Sequence, residues 1–100
     1  MTDPRRRLLT AALGFLHLEP RPRDSALATL HVLMDSWRGL GLIVTALDRD
    51  SYKVSLSKIA AGEWRAQFHK DFTTSPDGYG VAATPWRAVQ RAAWSVLRSQ

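Results

Sequence analysis

Four residues towards the C-terminal end offer the most definite chemistry. Arg87, Arg91, Trp94 and Arg98 are spaced four, three and four apart, so on a helix they fall along one face. Guanidinium groups take phosphate or carboxylate oxygens in bidentate pairs. An indole set among them can stack on a base or anchor a protein partner. The expectation is a surface on which the arginines contact phosphates and Trp94 stacks, with Arg5, Arg6 and Arg7 adding a basic arm. The plainer alternative is that the N-terminal helix covers Trp94 and leaves the arginines as a solvated rim.

A second basic set alternates along two expected strands: Lys53 and Ser55 on one, Arg65, Gln67 and His69 on the other. Such a face could track a phosphate backbone, although a solvated polar face is its ordinary role in an antiparallel sheet. It is not expected to carry the exposed aromatics with which RNA-recognition sheets stack bases.

Other chemistries find little support. There is no cysteine, which removes disulfides, thiolate nucleophiles and cysteine-based zinc sites. His17, His31 and His69 have no partner histidine three or four residues away, so no metal site is expected. Neither a phosphate-binding glycine loop nor a nucleophile elbow occurs, and Gly78-Tyr79-Gly80 fits neither. Asp24, Asp48, Asp50 and Asp77 fall in helix caps and turns, the usual structural use of carboxylates. The expectation is a protein without catalytic activity, cofactor or metal.

Charge is distributed unevenly. The chain of 100 residues has Lys+Arg 14 against Asp+Glu 9, a net charge of +5. Residues 1–23 hold Arg5, Arg6, Arg7, Arg21 and Arg23 against Asp3 and Glu19, and residues 84–100 hold Arg87, Arg91 and Arg98 with no acid. The excess therefore sits at the two ends, and it favours an anionic partner. Arg5-Arg6-Arg7 before an apolar stretch has the outline of an export signal. No small-residue cleavage site follows it, however, so a cytoplasmic location is expected. No apolar run approaches the roughly 20 residues that span a bilayer, and no membrane partner is expected.

These residues need elements to position them. Asp3 and Pro4 start a basic amphipathic helix with apolar Leu8, Leu9, Ala12, Leu13 and Leu16, which Pro20 and Pro22 halt. Asp24 opens a second helix with the stripe Leu27, Leu30, Leu33, Met34 and Trp37, ended after Arg38 by Gly39. Three strands are then expected, at 42–47, 51–58 and 64–72. The first is apolar on both faces, so the N-terminal helix or a second copy in a homodimer should cover Ile43 and Leu47. Residues 73–83 read as a loop, and Thr84 with Pro85 starts the last helix, whose core face is Ala88, Val89, Ala92, Ala93 and Val96.

The expected fold is a two-layer α+β domain of order α-α-β-β-β-α, a three-stranded antiparallel meander against helices. Residues 1–23 form the N-terminal helix and linker, and 24–100 a single α-β-β-β-α domain.

From residue 24 onward this order is similar to that of double-stranded-RNA-binding domains. The runs Gly62-Glu63-Trp64-Arg65-Ala66-Gln67-Phe68 and Ala82-Ala83-Thr84-Pro85-Trp86-Arg87-Ala88-Val89-Gln90-Arg91-Ala92-Ala93 resemble small phage and prophage proteins with the ABA-sandwich domain. That resemblance implies a helix–sheet unit of phage or prophage origin, and no particular activity. Where the RNA-binding domains keep paired lysines at the start of the closing helix, this chain has Pro85 and Trp86, so their phosphate clamp is missing. Two functions from different classes remain. One is a nucleic-acid-binding module. The other is a protein-interaction module, such as a phage inhibitor docking on a nucleic-acid-associated host protein or a defence (CRISPR-type) complex.

Overall fold

Gly39 decides how the helices at the start of the domain are cut. In a computed structural model, which describes residues 4–18, 25–70 and 76–98, it lies at a close crossing of two helices. A Cβ there would sit 2.5 Å from Met34 Cα and 2.6 Å from Leu33 O. The chain therefore breaks earlier than the sequence suggests. Helix α1 spans Pro4–Leu18, α2 Ser25–Met34 and α3 Trp37–Asp48. Ser36 caps α3 by accepting from Gly39 N at 3.1 Å, while its hydroxyl donates to Leu33 O at 2.6 Å.

Residues 42–47, expected as a strand, are thus part of a helix. Gly39, Ile43 and Leu47 recur every four residues and are all buried, so the two-sided apolarity is one helical stripe. The difficulty of covering Ile43 and Leu47 disappears with the strand that posed it, and with it the reason for a second copy there.

The strands follow as β1 Lys53–Ala60, β2 Glu63–His69 and β3 Gly78–Ala82, an antiparallel sheet in the order β1-β2-β3. The expected second and third strands are β1 and β2, and β3 falls within the expected loop at 73–83. Its glycines explain both the misreading and the packing. A Cβ on Gly80 would lie 2.5 Å from Ala88 O and 2.6 Å from Ala92 N, so only a bare backbone lets the last helix approach. Asp77 closes the β2–β3 connection. Its N–H donates to Phe68 O at 2.8 Å and its carboxylate accepts from Lys70 N at 2.6 Å.

Helix α4, Pro85–Arg98, starts as expected: Arg87 N donates to the Thr84 hydroxyl at 3.4 Å. Ala88, Val89, Ala92, Ala93 and Val96 have no exposure, and Ala66 and Phe68 of β2 meet them from the sheet. The result is a two-layer α+β fold of order α-α-α-β-β-β-α, a meander with α4 on one face. Leu13 of α1 is 1% exposed and belongs to the same core, which anchors the N-terminal helix by burial worth about 1.5–3 kcal/mol. The expected caps Asp3 and Asp24 and the halting prolines lie outside the described residues.

Candidate nucleic-acid interface

Helix α4 positions the four residues that the spacing singled out, but it does not give them one role. Arg87 turns inward. Its Nη2 donates to Asp35 Oδ2 at 2.8 Å, with both side chains about a third exposed or less. Gln90 Nε2 donates to the other oxygen, Asp35 Oδ1, and to Met34 O, each at 3.0 Å. Asp35 lies in the break between α2 and α3, so Arg87 and Gln90 fasten α4 to that elbow. The spacing suggested a phosphate contact for Arg87; the structure pairs its charge with a carboxylate instead.

Trp94 is corrected in part. Its spacing sets it on one helix face with the arginines, yet it is half-buried. The Cβ position of Gly14 lies 3.4 Å from its Cη2 and 3.5 Å from its Cζ3, so α1 covers part of the ring.

The uncovered part of Trp94 lines an open groove of about 320 Å³ with Tyr79, Gly80, Val81, Arg91, Ser95 and Arg98. Arg91 and Arg98 are exposed, and the lining has no carboxylate. Arg91 Nη1 donates to Val81 O at 2.6 Å. That bond holds the guanidinium over the edge of β3 and leaves its other donors to the solvent side. The groove thus combines two cations and two aromatic side chains. Charge of one sign focused in a concave surface raises the local concentration of anions.

The sheet face away from α4 adjoins this groove through Tyr79. Pairing places Lys53 opposite His69, Ser55 opposite Gln67, and Ser57 opposite Arg65; on the other side Gln67 meets Tyr79 and Arg65 meets Val81. Arg65, Gln67 and His69 are half-buried along the central strand, and His69 Nδ1 is buried with no hydrogen-bond partner among the described residues. Lys53 Nζ lies 3.5 Å from Asp48 Oδ1 in an exposed pair, which holds it only weakly. Contrary to expectation, the face does carry an exposed aromatic. Tyr79 is 48% exposed, and it lies in a segment whose glycines suggest a loop rather than a strand. The signal available was alternation: Gly78, Gly80 and Ala82 point to α4, which leaves Tyr79 and Val81 for the other face.

Of the N-terminal arginines, Arg7 is exposed on α1, while the side chains of Arg5 and Arg6 lie outside the described residues, as does His17. No group of three His, Asp or Glu side chains that could hold a metal occurs among the described residues. Among those residues, too, no helix is long and apolar enough to cross a membrane. No family model matches the chain, and no curated protein or solved structure matches it significantly.

Proposed function

We propose that this chain is a non-enzymatic nucleic-acid-binding module whose contact surface is the groove between α4 and the edge of β3. One observation carries the reading: Arg91 and Arg98 share a carboxylate-free groove with the part-exposed rings of Tyr79 and Trp94. Guanidinium groups supply phosphate contacts, and aromatic faces supply sequence-tolerant stacking on bases. Arg7 on α1 and the basic sheet face of Lys53, Arg65, Gln67 and His69 extend the same positive field. Arg87, engaged with Asp35, takes no part.

The test is fluorescence anisotropy with labelled single- and double-stranded RNA and DNA over a range of salt concentrations. The wild type is expected to bind with an affinity that falls as salt rises. The Arg91→Ala/Arg98→Ala variant should bind more weakly and lose about 1–2 units of the logarithmic salt slope. Absence of binding to every form at low salt, or an unchanged slope in the variant, overturns the proposal.

A further inference from the structure

The groove leaves a second aromatic surface unused. Trp37 opens α3, Trp64 lies near the start of β2, and Trp86 is the second residue of α4. These three positions, distant in sequence, form one cluster. The Trp37 ring centroid is 6.3 Å from that of Trp64 and 6.0 Å from that of Trp86, each pair near-perpendicular at 83°. Trp64 and Trp86 are half-buried, but Trp37 remains 59% exposed. The elbow beneath is already held to α4 by the contacts of Asp35 with Arg87 and Gln90. Trp37 is therefore not required to close it.

We infer that this tryptophan cluster is a docking surface for an acidic segment of a partner protein that carries apolar anchor side chains. Two observations choose that occupant. The first is charge. Lys58 Nζ lies 6.0 Å from the Trp64 ring centroid, and Arg38 follows Trp37 on the exposed side of α3. Neither has a carboxylate within ion-pair distance among the described residues. Asp35 is matched by Arg87, which leaves Glu63 at the hairpin as the one carboxylate next in sequence to a cluster tryptophan. Two cations without a carboxylate partner among the described residues, one of them over the Trp64 ring, complement an acidic partner.

The second observation is exposed aliphatic surface shortly before Trp37 in the chain. Val32 and Leu33, on the last turn of α2 before the Trp37 elbow, are exposed at 75% and 39%. Exposed aliphatic groups mark protein-binding patches and offer a phosphate backbone nothing. A second copy fits less well than an acidic segment, because each copy has net charge +5 and would present the same two cations. The surface is independent of the groove, so the chain could hold a nucleic acid and a protein at once.

The test uses the full chain and fluorescein-labelled synthetic peptides of roughly a dozen residues, in which glutamates alternate with leucine and phenylalanine, an amphipathic anchor pattern. The control replaces each glutamate by lysine, and a thymidine oligonucleotide of similar length serves as the nucleic-acid probe. Anisotropy is expected to show binding of the acidic peptide and none of the lysine peptide. Trp37→Ala should weaken binding about tenfold or more, and Lys58→Glu, a surface change that leaves the cluster in place, should weaken it severalfold. Arg91→Ala/Arg98→Ala should have no effect on the peptide. Four results each overturn the inference: no peptide binding, equal affinity in the Lys58→Glu variant, oligonucleotide binding that Trp37→Ala abolishes, or a wild-type dimer that Trp37→Ala converts to monomer.

Discussion

Arg87 and Asp35, 52 positions apart in the chain, meet through a 2.8 Å charge-assisted hydrogen bond that joins the first turn of α4 to the break between α2 and α3. Gln90 supports the same carboxylate and also satisfies the buried carbonyl of Met34. Removing any one donor leaves an under-satisfied polar group in a partly dry place.

Arg87→Ala is accordingly expected to lower stability by about 1–3 kcal/mol, and Gln90→Ala by a similar amount, because each strands an acceptor. The Arg87→Ala/Asp35→Ala pair should show coupling of at least about 0.5 kcal/mol in a double-mutant cycle. Urea unfolding of the four proteins measures this; strict additivity would mean that the contact is not formed. Nucleic-acid affinity should be the same in Arg87→Ala as in the wild type, which separates this arginine from Arg91 and Arg98.

Two glycines should respond in opposite directions to alanine. At Gly80 a methyl group would meet Ala88 O and Ala92 N at 2.5 and 2.6 Å, so α4 must lift from the sheet. The expected cost is about 1–3 kcal/mol or more. At Gly41, inside α3, a methyl group meets nothing within 4 Å, and Gly41→Ala should stabilise by about 0.5–1 kcal/mol. Thermal unfolding of both variants checks the signs.

Gly14 tests the cover over Trp94. An added Cβ would lie in ordinary contact with the indole, so Gly14→Ala should be stabilising by up to about 1 kcal/mol through helix propensity. Gly14→Leu adds a bulky group where Cβ already touches the indole and should push α1 off the ring. Acrylamide quenching, read in a background where Trp94 is the sole tryptophan, should then rise in the leucine variant and not in the alanine one.

Leu13→Ala should cost about 2–5 kcal/mol, the range for a fully buried leucine, although it lies in the N-terminal helix. Calorimetry should show the loss in the single main transition. A loss confined to a separate low-temperature transition would mean that α1 is docked on the core rather than part of it.

What local periodicity dictates could be read directly. Helix α4 starts at Pro85 with Thr84 as its cap, and its alanine-rich face is the one that enters the core, since caps and a 3.6-residue repeat depend only on near neighbours. The same holds for β2, whose alternation buries Ala66 and Phe68, whereas in the α1 stripe Leu13 is buried but Leu8 is 72% exposed, and β1 is exposed along its length except at the half-buried Leu56. Periodicity was ambiguous for residues 42–47, where a short apolar run suits a buried strand or a buried helix equally well. It failed for β3, because the glycines that look like turn residues are there to admit the backbone of α4, and nothing near them in the chain reveals it.

The candidate site divides along the same line. Residue types and spacing alone determined that α4 carries a row of arginines with a tryptophan, and that the ends of the chain are basic. Only the tertiary structure decided which arginine is neutralised, how far the indole is covered and which aromatic joins it. Each of those outcomes depends on a partner from elsewhere in the chain: Asp35 for Arg87, Gly14 for Trp94, and the edge of β3 for Arg91 and Tyr79. A helix determines which side chains share a face, but what that face meets is set by the packing of elements remote in sequence.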